Sequence, residues 1–326
     1  MATVQNLKTS NRGFEMSVEL RNFPVTFVNA IRRISLANIP TVVLRDVQIM
    51  DNTTQMPHEM LKHRFEMLPV NVSPDDAQTI RDVTIELHVV ANPEQKGVQT
   101  VTTDNFTVQA GPDKVLMKDR DLDTPILFLR VRPGESVRIK GSLVVETENV
   151  SQVCTATTGW HPDPELVKVD RKRWVEEGKD PREFDNSTYQ RSYSRDERGR
   201  PNWFDLSIES VGVLKSVEIL DMAVKILRKQ VDDYMKEAAN NIRRESDEGS
   251  YSIALEQGGH TLGALLQEVI YSDANVNFVS YDVPHPLRRT MVIRFNTKKS
   301  PESILRTVKE RIEEYCAVVE KDGGRS

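Results

Sequence analysis

The chain has 326 residues, 38% of them hydrophobic and 29% charged, with 49 acidic side chains against 44 basic ones for a net charge of −5. That much apolar material excludes wholesale disorder, and the slight acidity gives no electrostatic reason for the whole surface to hold nucleic acid. Two cysteines, Cys154 and Cys316, are too few for a disulfide framework or a cysteine-built zinc site, and no apolar run nears the roughly 20 residues that span a bilayer.

In chain order, MATVQNLKTS lacks the apolar stretch of a signal peptide, so an intracellular, membrane-free protein is expected. Phe14, Met16, Val18 and Leu20 alternate as a half-buried strand does. Phe27, Ala30, Ile31, Ile34 and Ala37 then step by three or four, with Pro24 at the start and Pro40 past the end, which predicts a helix. Val42, Val43, Val47 and Ile49 form a β-branched run read as a second strand. Glu59 to Leu68 is amphipathic and predicts a short helix. Strands are expected over Val83–Val90, Ile126–Val131 and Val137–Val145, with turns at Asn92-Pro93, Gly111-Pro112 and Arg132-Pro133-Gly134. From Pro162 to Pro201 ten acids and ten bases crowd a stretch poor in apolar residues, read as a surface loop or arm. Trp160, Trp174 and Trp203 flank it or lie in it, as aromatic anchors of an interface or as core.

Phe204, Leu206 and Ile208 again alternate, and a helix follows from Ser216 with the stripe Val217, Leu220, Val224, Leu227, Val231, Met235 and Ala238. Asn240 to Ser250 is polar and reads as a linker. Beyond it come a strand (Tyr251, Ile253, Leu255), a short helix (Leu262, Leu265, Leu266, Val269, Ile270) and two strands (Val276–Val283, Met291–Phe295). A last helix carries Ile304, Leu305, Val308, Ile312, Tyr315, Cys316 and Val319, its start marked by Ser300, Pro301 and Glu302.

The two ends therefore share one plan. Residues 1–50 with 203–240 form a first module, split by an insertion over 51–202; residues 241–250 link it to a second module, 251–326. The fold class is α+β. Each long helix offers an apolar stripe that a small module cannot bury alone. Packing Leu220, Val224, Leu227 and Val231 against Ile304, Val308, Ile312 and Val319 would bury both, as an isologous dimer does.

Two helix starts overlay without a gap: Thr26-Phe27-Val28-Asn29-Ala30-Ile31-Arg32-Arg33-Ile34 on Thr261-Leu262-Gly263-Ala264-Leu265-Leu266-Gln267-Glu268-Val269. The Asn-Ala-Ile-Arg-Arg run and His260-Thr261-Leu262-Gly263 both resemble the bacterial RNA polymerase alpha subunit. With Ile39-Pro40-Thr41, the run from His58 to Pro69 and Phe204 to Gly212, the first module resembles the third-largest subunit of eukaryotic RNA polymerase II and archaeal D. The second, through Tyr281-Asp282-Val283-Pro284-His285-Pro286-Leu287, resembles the eleventh-largest subunit and archaeal L. In cellular polymerases these are separate chains; a single-chain fusion is similar to arrangements in large DNA viruses.

The resemblance implies a non-catalytic assembly platform. It implies the largest and second-largest polymerase subunits as partners, small zinc-binding subunits nearby, and DNA touched only through the complex. It places the chain in host cytoplasm or virion if viral, and in the nucleus if cellular. Residues implied for the large-subunit interface are Asn29, Arg32, Arg33, His260, Thr261, Gly263 and His285. Many relatives of the third subunit carry a cysteine-rich zinc loop; Pro69 to Asp82 here has no cysteine, so no metal is expected.

Residue by residue, blander readings stand beside these. Arg32 and Arg33 lie about 100° apart on a helix, so at most one can face the core. They are a solvated face or bidentate contacts to the second-largest subunit. Gln267 and Glu268 at the aligned positions would let a nearly symmetric body choose two different partners. His260 reads as a helix-entry residue bonded to nearby backbone, Gly263 as room for a close backbone approach, and His285 as fixing a turn. His58, Glu59 and His63 invite comparison with a zinc-protease motif, but histidines five apart on a helix point about 140° away from each other. No phosphate loop or nucleophile elbow occurs, so no catalytic residue and no cofactor is expected. The rival readings are a stand-alone DNA-binding transcription regulator and a hydrolase using those two histidines and glutamate.

Overall fold

The structure is a computed structural model that describes residues 1–111, 115–147, 153–256, 258–285, 287 and 290–323. Pro112 and Pro286, which mark two of the expected turns, lie outside the described residues. The chain divides into two compact units: Met1–Leu36 with Thr155–Glu209 and Lys215–Ser326, and Ala37–Cys154 with Ser210–Leu214.

The first unit opens with strands β1 (Thr3–Ser10) and β2 (Glu15–Arg21) and helix α1 (Val25–Ala37). Alternation turns Met16, Val18 and Leu20 of β2 into the core. The helical period does the same for Phe27, Ala30, Ile31 and Ile34 of α1, whose first turn closes on the carbonyl of Pro24. Strand β1 is mostly exposed and pairs antiparallel with β2, its register shifting between Gln5 and Lys8. It has no periodic apolar face, so nothing in its composition announces it.

The second unit is the inserted one. It contains β3 (Thr41–Asn52), α2 (His58–Glu66), α3 (Ala77–Asp82), β4 (Thr84–Val90), β5 (Gln99–Thr102), β6 (Phe106–Gln109), β7 (Leu127–Val131) and β8 (Ser136–Glu146). Four of these strands form one sheet in the order β3-β8-β4-β6, and β5 pairs with β7 in a smaller one. Its core gathers Leu61 and Phe65 of α2 with Ile85, Leu87, Val137, Ile139 and Phe128, and Phe65, Phe106 and Phe128 pack ring against ring. Here the chain departs from its sequence reading. The strand assigned to the first module, Val42 to Ile49, pairs with β8 across nearly its whole length, so its β-branched residues belong to the inserted sheet.

The chain then returns to the first unit through β9 (Cys154–Trp160), α4 (Pro164–Glu176), the single turn α5 (Pro181–Glu183) and β10 (Trp203–Ser210). The charged stretch read as a loop is thus helical over α4. Asp163 caps that helix by accepting from the amides of Glu165 and Leu166, and Pro164 follows in the first turn. No residue of α4 is buried, which is why an apolar-period reading passed over it. The segment 155–202 folds with the first unit rather than with the insertion, since β9 is the outer strand of the sheet β1-β2-β10-β9.

Helix α6 (Ser216–Ala238) follows. Glu218 caps it by accepting from the Lys215 amide at 2.7 Å, while the buried Ser216 hydroxyl donates to the Gly13 carbonyl. The expected linker contains a further strand, β11 (Ile242–Arg244), that pairs with β12 (Ser250–Leu255). Helix α7 (His260–Tyr271), strands β13 (Val276–Asp282) and β14 (Met291–Thr297) and helix α8 (Pro301–Gly323) complete the unit. The second sheet runs β11-β12-β14-β13. Each module thus presents a four-stranded sheet, a short helix (α1 or α7) and a long helix (α6 or α8), and the first carries α4 and α5 besides.

Candidate functional site

The long helices meet along their apolar stripes. Leu220, Val224, Leu227 and Val231 of α6 and Ile304, Val308, Ile312 and Val319 of α8 are all buried. The helices run antiparallel: Leu220 near the start of α6 lies beside Gly323 at the end of α8, whereas Asp232 toward the end of α6 pairs with Lys309 at 2.9 Å. Arg228 sits at the crossing. It donates to Glu313 at 2.8 Å and reaches both oxygens of Glu320 at 2.6 and 2.8 Å, a two-pronged contact that suits guanidinium geometry. The hydrogen bonds to Glu320, and then those to Glu313, hold the Arg228 guanidinium well above its ordinary pKa. Counted from Ser216 and Ser300, Leu220 and Val224 occupy the positions that Ile304 and Val308 occupy on α8. Equivalent positions of two antiparallel helices turned into one seam are the mark of an isologous pairing.

A second seam joins the short helices. Thr26 on α1 donates its hydroxyl to Glu268 Oε2 at 2.6 Å, and Arg33 Nε donates to Thr261 Oγ1 on α7 at 2.7 Å. Glu268 also accepts from Arg200 at 2.8 Å, so its side chain is only 12% exposed. Below it Phe23, Phe27 and Tyr315 form a ring cluster with centroids 5.3–5.6 Å apart. The charged segment ties into the same place, because Arg198 donates to the Tyr271 carbonyl and lies over that ring.

The interface residues read from sequence fall in three places. Asn29, on an exposed turn of α1, accepts from Arg32 through Nε and Nη2 at 3.1 and 2.9 Å. It lines a cleft of about 630 Å³ with Val25, Trp160, Tyr189 and Gln190, in which Trp160 is half exposed and lies 4.6 Å from the Tyr193 ring. Arg33 and Thr261 face each other across the short-helix seam, as described. His260, Gly263 and His285 belong to the second module. The His260 ring meets the Tyr281 ring edge-on at 6.0 Å, with Nδ1 3.5 Å from the phenol oxygen, so its partner is a side chain. Gly263 is crowded by side chains as well: a Cβ there would stand 2.5 Å from the Tyr281 ring and 2.9 Å from the Met291 sulfur. His285 is exposed and accepts at Nδ1 from the Leu287 amide.

One reading is corrected by this geometry. The opposed charges of Arg33 and Glu268 are not both offered outward, since each is engaged in the intramolecular seam. His58, Glu59 and His63 are all exposed on α2 and do not converge. Among the described residues one group could hold a metal ion: Glu19, His161 and Asp205, whose ligand atoms lie within 4.8 Å of one another. Glu19 and Asp205 face each other on paired strands, and the His161 ring, stacked on Trp203, lies 2.8 Å from Asp205 and 4.0 Å from Glu19. Glu19 also accepts at Oε1 from the Asn6 amide at 2.8 Å.

Two sheet-and-helix modules that close on each other through equivalent helices define a dimerising body, here within one polypeptide. The RNA polymerase Rpb3/Rpb11 dimerisation domain matches residues 17–231 in one family profile and residues 250–322 in a second. The chain belongs to the RNA polymerase Rpb3/Rpb11 dimerisation-domain family. It is 24% identical over 237 residues to DNA-directed RNA polymerase subunit Rpo3 of Methanocaldococcus jannaschii, covering 73% of this chain and 97% of that protein. It is 23% identical to DNA-directed RNA polymerase II subunit RPB3 of Schizosaccharomyces pombe, over 70% of this chain and 84% of the relative. To the subunit RPAC1 of polymerases I and III of Saccharomyces cerevisiae it is 24% identical, over 68% and 83%. No described helix is long and apolar enough to cross a membrane.

Proposed function

We propose that this chain is the non-catalytic assembly platform of a multisubunit DNA-directed RNA polymerase, with both halves of the alpha-like pair fused in one polypeptide. The observation that carries the reading is the antiparallel seam of α6 and α8, set between two separate matches to the same dimerisation family. A body of this kind works by binding. The cleft beside Asn29 and Arg32 receives the second-largest subunit, and the exposed end of the second module, with His260 and His285 above the buried Gly263, receives the largest. Small zinc-binding subunits dock nearby, and DNA is reached only through the complex. The fused form is similar to that of large DNA viruses; a viral chain of this kind would work in host cytoplasm or virion, a cellular one in the nucleus.

Affinity purification of the tagged chain from its native source tests the reading. The expected result is stoichiometric recovery of both large polymerase subunits, with Arg32→Glu lowering recovery of the second-largest. Recovery of neither large subunit, or salt-sensitive binding of duplex DNA by the purified chain alone, would contradict it.

A further inference from the structure

The inserted unit carries a groove that the polymerase reading does not use. It measures about 630 Å³ and runs between the loop before α2 and strand β7. Met56, Met60, Arg64, Leu127, Arg130 and Arg132 line it. Met60 is 56% and Leu127 43% exposed, so the floor is apolar yet wet. Methionine side chains adapt to varied apolar partners, which suits a binding surface better than a core.

Two further features say what fits there. Strand β7 pairs with β5 on one side only, so its other edge offers backbone groups toward the groove. Arg64 caps the start of that strand by donating to the carbonyls of Phe128 at 2.9 Å and Leu127 at 3.4 Å, so a partner would pair with the part of the edge beyond Phe128. The lining carries three arginines against one carboxylate, Glu135, and that carboxylate is engaged by the Arg132 amide at 2.8 Å. The side chains of Arg130 and Arg132 are exposed and form no ion pair with any described residue.

From these observations we propose that the groove along β7 is a docking site for an extended, acidic segment of a partner polypeptide bearing apolar side chains. Its backbone would add to the β7 edge, alternate apolar residues would enter the methionine floor, and carboxylates between them would face Arg130 and Arg132. The site is independent of which large subunits the dimerising body holds.

Fluorescence anisotropy on the purified full chain tests this, with a fluorescein-labelled decapeptide alternating glutamate and methionine as probe. Saturable binding is expected, weakened at least ten-fold by R130E/R132E and also by Met60→Lys, with the thermal transition unchanged because all three positions are exposed. A lysine–methionine decapeptide should bind the charge-reversed variant better than the parent chain. The proposal is overturned by failure of the glutamate peptide to bind, by equal binding to the R130E/R132E variant, or by a single-stranded RNA decamer binding as tightly. Self-association of the chain that Met60→Lys abolishes would equally overturn it, since the occupant would then be a second copy.

Discussion

Thr26 and Glu268, 242 positions apart in the chain, share a 2.6 Å hydrogen bond from hydroxyl to carboxylate, and Glu268 also accepts from the Thr26 amide. The helix overlay makes Thr26 equivalent to Thr261 and Glu268 equivalent to Arg33, and those two residues are bonded as well. One contact is therefore present twice, in opposite senses: the threonine donates to a carboxylate on one side and accepts from a guanidinium on the other. Glu268→Ala should cost about 1–3 kcal/mol in urea unfolding, because it removes the acceptor of the Thr26 hydroxyl and amide and one of the two carboxylates that Arg200 pairs with. A double-mutant cycle with Thr26→Val should show coupling of at least about 0.5 kcal/mol; additive losses would show that the bond carries nothing.

The long-helix seam buries the apolar stripes of both α6 and α8. Leu227→Asp or Ile312→Asp places a carboxylate at a position 0% or 1% exposed and should cost about 4 kcal/mol or more, unfolding the paired modules at ordinary temperature. Circular dichroism melts check this. A normal melting temperature in both variants would mean that the stripes do not hold the modules together.

At the crossing, Arg228 joins two carboxylates of α8. Its side chain is 27% exposed, so solvent screens the contact, and Arg228→Met should cost only about 1–2 kcal/mol. The loss should shrink in 1 M salt, where the screening length falls to about 3 Å. Chemical denaturation with urea at two salt concentrations reads this directly.

The periodic apolar residues made much of this body legible in the sequence. Both long helices, both short helices and the strands containing Met16–Leu20 and Phe204–Ile208 follow from spacing alone, since burial on one face imposes it. What escaped notice lacks such a face. Strand β1 and helix α4 are held by strand pairing and by surface charge pairs such as Arg171–Asp185, neither of which leaves an apolar period. The assignment of Val42–Ile49 failed for another reason: a β-branched run states that a strand exists, not which sheet receives it. The reciprocal threonine contacts were within reach, because the gapless overlay already set Thr26 against Thr261 and Arg33 against Glu268. Pairing across the overlay, rather than along it, was the missing step.

Both thiols are buried, and burial pushes Cys154 up to about 11 and Cys316 up to about 12, from an ordinary value of 9.0. A raised acid favours the folded state while it stays protonated. That contribution is complete below pH 9 and is lost as pH rises through 11 to 12, because the unfolded chain ionises first. Stability measured by denaturant should therefore decline above pH 9. The folded protein should also react with Ellman's reagent no faster than it unfolds, whereas two thiols should react at once in denaturant.

The Tyr234 hydroxyl is buried on α6 with no hydrogen-bond partner among the described residues, and burial raises its pKa. Tyr234→Phe removes a polar group that folding strips of water, so it should leave stability unchanged or raise it by about 1 kcal/mol. A loss above 1 kcal/mol in urea unfolding would mean that the hydroxyl is satisfied.

The most direct measurement splits the chain between Arg244 and Glu248 and expresses residues 1–245 and 246–326 together, one half tagged. If one polypeptide holds two dimerising modules, the halves should co-purify one to one and melt as a single species, and Ile312→Asp should separate them. Halves that elute apart, each folded and stable alone, would contradict the account.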